Sequence, residues 1–287
     1  MLTRPKITEE LLDQIRQTIE SHPDWGRTRI SIHLCELWDW RIPGLGVKDI
    51  SCRDMLRDLD RAGRIRLPAS QNTLAQSPRR SIERLSHDTT PIVCGLDELR
   101  PLVVEAVESG CALAEFKSLL VQHHYLHYNR TVGENMKYIV RSKNGTILAC
   151  LLFGAAAWKC QDRDAYLGWN QEQRSSRLFM LTDNVRFLIP EWVKVPCLAS
   201  HTLSLVARRI SADWETKYGH GLACLETFVE RNRFRGVVYR AANWTHVGVT
   251  AGRGRNDRQH ERALSEKDIY LLPLGPGWRN RLLGERE

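Results

Sequence analysis

The chain has 287 residues, enough for one large or two ordinary domains, and its formal net charge of +8 favours an anionic partner, nucleic acid above all. Hydrophobic residues make up 42% of the chain, which provides for a folded core. No signal peptide opens the sequence, and no apolar run reaches the roughly 18 residues of a membrane span. The eight cysteines form no CxxC pair and no zinc-finger spacing, so we expect a cytosolic protein without disulfides.

Residues 1–68 are predicted to form a small helical domain. Apolar residues recur at helical spacing in three segments, from Leu11 to Ile19, from Ile30 to Trp38 and from Cys52 to Ala62. The alternating residues 63–68 predict a short strand after the third helix. Three helices and a strand are the outline of a winged helix-turn-helix, a DNA-binding fold. A three-helix domain that binds protein or is purely structural stays open as the alternative.

Arginines on this helical domain predict contacts with DNA. Arg27 and Arg29 open the second helix, where phosphate contacts often form. Arg53 and Arg57 lie on the outward side of the third helix, which would be the recognition helix. Because arginine suits both phosphates and guanine edges, we predict that these four residues bind DNA.

A polar segment, residues 69–90, is predicted to be a linker, because it contains a Ser-Pro step and has no apolar period. Residues 91–287 then form a second domain. Its predicted order is strand, helix, a hairpin of two strands, strand, a long helix over 198–219, strand, short helix and two strands. This order predicts an α/β or α+β domain whose mixed sheet is covered by helices. It resembles the Gcn5-related N-acetyltransferase (GNAT) fold.

The GNAT resemblance implies an acyl-CoA site at the start of the long helix, where that family has a glycine-containing phosphate loop. This chain has EWVKVPC at residues 191–197, without a glycine. Close approach of a backbone to a pyrophosphate needs glycine. We therefore predict that acetyl-CoA does not bind tightly, and the cofactor stays unknown.

The amino-acid sequence of the second domain indicates a family more specifically than its predicted order of elements does. The segments HHYLHYNRTVGENMKYIV, VPCLASHTLSLVARRISADWETKYG and ETFVERNRFRGVVYRAANWTHVGVTAGRGR resemble the DruA family, named after a component of the Druantia anti-phage defence system. The resemblance covers about residues 1–275. It implies a prokaryotic protein linked to defence islands or mobile elements, with DNA and other defence-system proteins as partners. It supplies no reaction, so a mechanism has to come from the residues.

Polar residues in the second domain are candidates for catalysis. His124, beside Tyr125 at the end of a predicted helix, could exchange protons near neutral pH, although a histidine that stabilises the helix end is the alternative. Glu226 follows apolar residues on a predicted inner strand and therefore needs a partner or a catalytic task. We predict that it shares one cleft with Tyr239 and Asn243, which are four residues apart on a helix. A structural ion pair of Glu226 with one of three arginines stays open: Arg186, Arg208 or Arg209.

No metal is predicted, because Asp162 and Asp164 suggest a solvated charged loop more than a paired-carboxylate site. The run TAGRGRNDR at 250–258 is a second nucleic-acid signal, since its glycines allow close approach and Arg253 and Arg255 can contact phosphates. The sequence thus favours a two-domain defence or mobile-element protein that binds DNA and processes or modifies it. An acyl or other group transferase acting on nucleic acid or protein, and a metal-dependent nuclease or transposase-like enzyme, stay open as alternatives.

Overall fold

The computed structural model describes residues 5, 7–42, 46–69, 82–252 and 265–284. Contacts between residues divide the chain into two compact units, Met1–Ser81 and Ile82–Glu287. Within the described ranges, no helix combines the length and the apolar character needed to cross a lipid bilayer.

The described residues of the first unit form three helices and a short hairpin. Leu12, Ile15, Ile30 and Leu34 are buried in its core together with Met55. These side chains repeat at helical spacing, which is why the three predicted helices form. In chain order the elements are α1 (Glu9–Ser21), α2 (Arg27–Leu37), β1 (Arg41–Ile42), β2 (Gly46–Val47) and α3 (Asp49–Arg61).

The strand predicted for residues 63–68 is not formed. Side chains, not a partner strand, hold this segment: Leu67 N donates to Asp60 Oδ1 over 3.0 Å, and Arg27 Nε donates to Pro68 O over 2.8 Å. The β1–β2 hairpin instead lies between α2 and α3 in the chain. The α+β prediction holds for this unit, and the winged helix is not confirmed.

The predicted strands and helices of the second unit occur in the predicted order, with further short elements between and beside them. Its first half contains β3 (Ile92–Val93), α4 (Leu96–Leu99), β4 (Val103–Ala106), α5 (Gly110–His123), β5 (Asn135–Arg141), β6 (Ile147–Ala155), α6 (Gln161–Leu167) and α7 (Gln171–Arg177). Its second half contains β7 (Leu181–Leu188), β8 (Val193–Lys194), α8 (Leu198–Ala207), α9 (Ile210–Tyr218), β9 (Cys224–Glu230), α10 (Val237–Ala241), β10 (Thr245–Val249), β11 (Lys267–Pro273) and α11 (Trp278–Leu283).

A seven-stranded mixed sheet forms the centre of this unit, in the order β10-β11-β9-β7-β6-β5-β4. Only the β7–β9 pair is parallel among these neighbours. Alternate strand residues face opposite sides, so Leu225 packs with α8, α9 and α10 while Cys224 packs with α6 and α11. α5 covers the latter side over β5 and β6. The predicted mixed sheet covered by helices is confirmed.

The prediction of one long helix over 198–219 is wrong in one respect, because the segment forms two helices, α8 and α9. At the break, Arg209 N bonds to Val206 O over 3.1 Å, a tighter turn than an α-helix makes. The Arg209 side chain then donates to Val104 O and to Asp213. The helix ends at Gly219 as predicted, with a positive φ of 78°.

Residues 82–90 run along α5 as an extended strap. Leu85 N donates to the buried Ser118 Oγ over 2.8 Å, and the His87 Nε2 atom lies 3.0 Å from the same oxygen. Gln122 Nε2 donates to Leu85 O over 2.9 Å. The strap therefore adds hydrogen bonds to Ser118 and Gln122 of α5, which also bond to each other over 2.9 Å.

Candidate functional site

A gap between two sheet strands gathers polar side chains from distant parts of the second unit. β7 and β9 pair only as far as Asp183 and Glu226, and each then continues with its other neighbour alone. Where the ladder stops, the Thr227 hydroxyl donates to Asn184 O over 3.1 Å, and the Tyr239 hydroxyl donates to Asn184 Oδ1 over 2.9 Å. We call the region lined by Asn184, Thr227 and Tyr239 the strand gap.

The turn after α5 brings His124 close to Arg186, which lies two residues after Asn184 on β7. His124 is buried, and its Nδ1 atom accepts a hydrogen bond from Leu126 N over 3.1 Å. Burial, with smaller contributions from nearby Arg186, His127 and Arg233, lowers the pKa of His124 to about 4. The ring is therefore neutral near pH 7 and carries its proton on Nε2, which makes that nitrogen a hydrogen-bond donor.

Two arginines beside His124 make no ion pair with any described carboxylate. Arg186 donates through Nε to His127 O over 2.9 Å and through Nη1 to Val185 O. Burial lowers the pKa of Arg186, although nearby Asp183 acts in the opposite direction. The guanidinium of Arg233 lies 4.5 Å from the centre of the Tyr125 ring. The site thus presents two guanidinium groups and one neutral N–H donor.

Aromatic rings stand next to these cations. Tyr125 stacks on His124 with 4.8 Å between ring centres, and its edge contact with Phe234 spans 5.2 Å. Phe234 is 44% exposed, whereas Tyr125 is half-buried. Gly236, which starts α10, has a φ of 65°, and a Cβ there would come within 2.2 Å of the Tyr270 hydroxyl. This close contact fixes the start of α10 against β11.

Glu226 belongs to a buried ion-pair network away from the gap. Its Oε2 accepts from Arg163 Nη1 over 2.8 Å, and its Oε1 accepts from Ala157 N over 2.8 Å. Asp164 accepts two bonds from Arg163 and one from Arg174. Burial alone disfavours the charged guanidinium, but Glu226 and Asp164 raise the pKa of Arg163. The network holds two cations and two anions, so it balances its own charge.

The cleft predicted for Glu226 and Tyr239 is wrong, because the two residues lie on opposite faces of the sheet. Tyr239 packs on the face that contains Leu225 and Thr227, and alternation turns Glu226 towards α6. Asn243 is exposed, follows α10 and has a φ of 64°, the left-handed conformation of a residue just after a helix. A catalytic role for each residue stays a prediction. The partner of Glu226 is Arg163, not one of the three arginines considered above.

Other acidic residues of the second unit hold the backbone. Asp162 Oδ2 accepts from Val249 N over 2.9 Å and ties α6 to β10. Gly248 makes this approach possible, since a Cβ there would lie 2.2 Å from the Asp162 carboxylate. No group of three or more potential metal ligands occurs in the part of the chain that the structure describes.

The segment before α8 does not fit an acyl-CoA pyrophosphate. Pro190 and Pro196 have no N–H group, and two other donors are used within the segment: Val193 N bonds to Pro190 O and Leu198 N to Val195 O. β8 also pairs with β3, so this stretch is tied to the start of the unit. The two prolines and the internal hydrogen bonds reduce the number of backbone donors that this segment could offer to a phosphate.

The arginines predicted to bind DNA in the first unit have different environments. Arg53 pairs with Asp49 over 2.8 Å, and Arg57 pairs with Asp54. Arg27 donates to Pro68 O, whereas the Arg29 guanidinium lies 4.6 Å from the centre of the Trp25 ring and pairs with no described carboxylate. The predicted recognition helix thus has its arginines engaged within its own sequence. Arg253 and Arg255 lie outside the described residues.

The sequence did not single out Arg233 and Phe234, which the structure places against Tyr125. Arg186 was considered as a partner of Glu226, and nothing local connected it with the turn after α5. The run ERNRF at 230–234 has the arginine and aromatic residues typical of nucleic-acid surfaces, and it could have been noticed.

Comparisons with known proteins agree with the resemblance found in the sequence. The family model described as Druantia protein DruA matches residues 60–283. The chain belongs to this family. No curated protein matches this DruA-family chain.

Solved structures similar to the DruA-family chain include spermidine N-acetyltransferase from Vibrio cholerae in complex with CoA and spermine. It is 7% identical, with a TM-score of 0.41, over 60% of this chain and 95% of that chain. Spermidine/spermine N-acetyltransferase SpeG from the same organism, in complex with manganese ions, is 8% identical, with a TM-score of 0.37, over 65% and 97%. The ligands in those complexes belong to those proteins.

Proposed function

We propose that this DruA-family chain binds nucleic acid, and that the cations beside the strand gap hold a phosphodiester backbone. The observation that carries the proposal is the convergence of Arg186 and Arg233 on His124 without a described carboxylate partner. Family membership adds that the DNA belongs to a phage or mobile element and that other defence-system proteins take part.

An anionic ligand would offset the free-energy cost of the partly buried Arg186 charge in the unbound protein. Arg186 is half-buried and its hydrogen bonds go to backbone carbonyls, so its charge is only partly stabilised. A phosphate oxygen could accept from this guanidinium, from Arg233 and from His124 Nε2–H together. Charge-assisted hydrogen bonds of this kind are among the strong ones in proteins. The chain's net charge of +8 favours the same partner over longer distances.

The helical unit supplies a second, weaker contact in this proposal. Arg29 and Arg66 are exposed and pair with no described carboxylate, in contrast to Arg53. We expect phosphate contacts from the start of α2 and not from α3. The proposal keeps a DNA-binding role for this unit and does not require a winged-helix fold.

The two alternative functions have less support. An acyl transferase needs a cofactor site, and the segment before α8 does not fit one. A metal-dependent nuclease or transposase needs carboxylates free to bind a metal, and Asp162 and Asp164 accept bonds from the protein itself. Processing of the bound DNA stays a possibility for groups near His124.

The test is a salt titration of DNA binding with the full chain. Fluorescence anisotropy with a labelled oligonucleotide gives affinity as a function of salt concentration. Arg186→Gln and Arg233→Gln should each weaken binding and reduce the slope of log K against log salt by about 1, since each removes one phosphate contact.

The matched control is Arg231→Gln, because Arg231 lies in the same run but already pairs with Glu266 and Asp268. Its slope should stay close to that of the unaltered chain. If Arg186→Gln and Arg233→Gln bind like the control, the strand gap is not the nucleic-acid site.

A further inference from the structure

We infer that the strand held at this site is single-stranded, with an unpaired base stacked on Phe234. The inference rests on the proposed function and adds the class of nucleic acid. It starts from an exposed phenylalanine whose ring lies 5.8 Å from the guanidinium of Arg233, a cation that pairs with no described carboxylate.

Phe234 is held in a defined position although its ring is exposed. Its N–H donates to Glu230 O over 2.9 Å in the turn that follows β9, and its ring rests against Tyr125. Gly236 then anchors the chain on Tyr270 two residues later. Because the chain is held on both sides of Phe234, the ring loses little conformational freedom on binding. The free energy of an added stacking contact therefore contributes to the affinity.

Stacking on this ring requires an unpaired base. In a duplex both faces of each base are covered by neighbouring base pairs, and a protein reaches mainly phosphates and groove edges. In a single strand every base offers a face to an aromatic side chain, whatever its identity. Arg233 lies close enough to bind the adjoining phosphate, because it contacts Tyr125, the ring against which Phe234 packs.

Charge argues for a nucleic acid and against an apolar peptide at this patch. Arg233 and Arg235 flank Phe234 in the sequence, and both are exposed. The acidic group that acts on Tyr125 is Glu230, which accepts a hydrogen bond from Ser265. An exposed ring between cations matches the combination of aromatic platform and basic groove found in proteins that bind single strands.

The experiment compares a single-stranded oligothymidylate with a duplex of equal length, using the full chain and fluorescence anisotropy. Phe234→Leu keeps an apolar side chain but removes the aromatic face. It should weaken single-strand binding by about 5- to 100-fold and leave duplex binding unchanged. The matched control is Phe179→Leu, because Phe179 is similarly exposed, at 47%, and packs on His220.

Each outcome separates this inference from the proposed function. A selective loss of single-strand binding in Phe234→Leu supports it. Equal loss on both ligands, or no loss while Arg233→Gln still weakens binding, overturns the stacking inference and leaves the phosphate site standing. Absence of nucleic-acid binding by the unaltered chain overturns both, and an unchanged melting temperature of Phe234→Leu confirms that the variant is folded.

Discussion

Substitution of Glu226 tests whether its carboxylate is structural or catalytic. Glu226 and Arg163 are both fully buried, and their charged atoms are 2.8 Å apart. Glu226→Gln preserves the shape of the side chain and an acceptor for Ala157 N–H. It removes one negative charge from a network that otherwise balances two cations with two anions, so one positive charge is left without compensation.

The expected cost follows from the burial of the pair. Removing one partner of a buried ion pair costs about 3–5 kcal/mol, because the other charge remains desolvated. In a domain of this size, each kcal/mol corresponds to about 2–4 °C of melting temperature. Glu226→Gln should therefore melt roughly 6–20 °C below the unaltered chain. Glu266→Gln is the control, since its pair with Arg231 is exposed and should contribute at most about 1 kcal/mol.

Thermal and urea unfolding followed by circular dichroism measure this loss, and DNA binding is measured on the folded variant. Adding Arg163→Met to Glu226→Gln removes the uncompensated charge and should recover part of the stability, so the two changes are not additive. A structural role is refuted if Glu226→Gln unfolds like the control and still binds DNA while defence is lost. Such a result would return Glu226 to a catalytic role.

Two further predictions follow. The pKa of His124 is about 4, below its value of about 6.5 in an unfolded chain, so the unfolded state binds more protons and stability falls as the pH drops from about 6.5 to 4. His124→Asn should remove about 2–3 kcal/mol of the stability difference between pH 7 and pH 4.5, measured by urea unfolding; equal pH dependence in both proteins would contradict the assignment. The segment 190–197 contains two prolines and no glycine, so calorimetry with acetyl-CoA should detect no tight binding, and micromolar affinity would contradict this.

The spacing of apolar residues predicted the helices and strands of the second unit well. Burial of one face of an element requires apolar residues at that spacing, so the pattern is visible in the sequence. Alternation placed Glu226 on an inner strand, and Gly219 marked the end of a helix. Pairing over distance could not be predicted in the same way. Arg163 lies in a short helix whose sequence, QDRDAYL, has the composition of a solvated segment, yet its guanidinium is fully buried. Burial here depends on a fold that brings α6 over the sheet.

The contacts between distant residues in the candidate site could not be predicted from the sequence either. Tyr239 and Glu226 belong to neighbouring elements, and only the direction in which α10 crosses the sheet puts them on opposite faces. Arg186 and His124 come together because β7 passes beside the turn after α5. The prediction of a strand at 63–68 was wrong because alternating apolar and polar residues indicate a half-buried extended segment, whether or not a partner strand exists.

The strap formed by residues 82–90 decides where the second unit can be cut from the chain. A fragment that begins at residue 91 would leave Ser118, which is fully buried, without its bonds to Leu85 and His87. A fragment that begins at residue 82 keeps both bonds. Gln122 donates to the Ser118 hydroxyl in both fragments, so the shorter one loses only the hydrogen bonds of the strap, each worth about 0.5–1.5 kcal/mol. The longer fragment should therefore resist proteases better, although the two differ only in a segment without helix or strand.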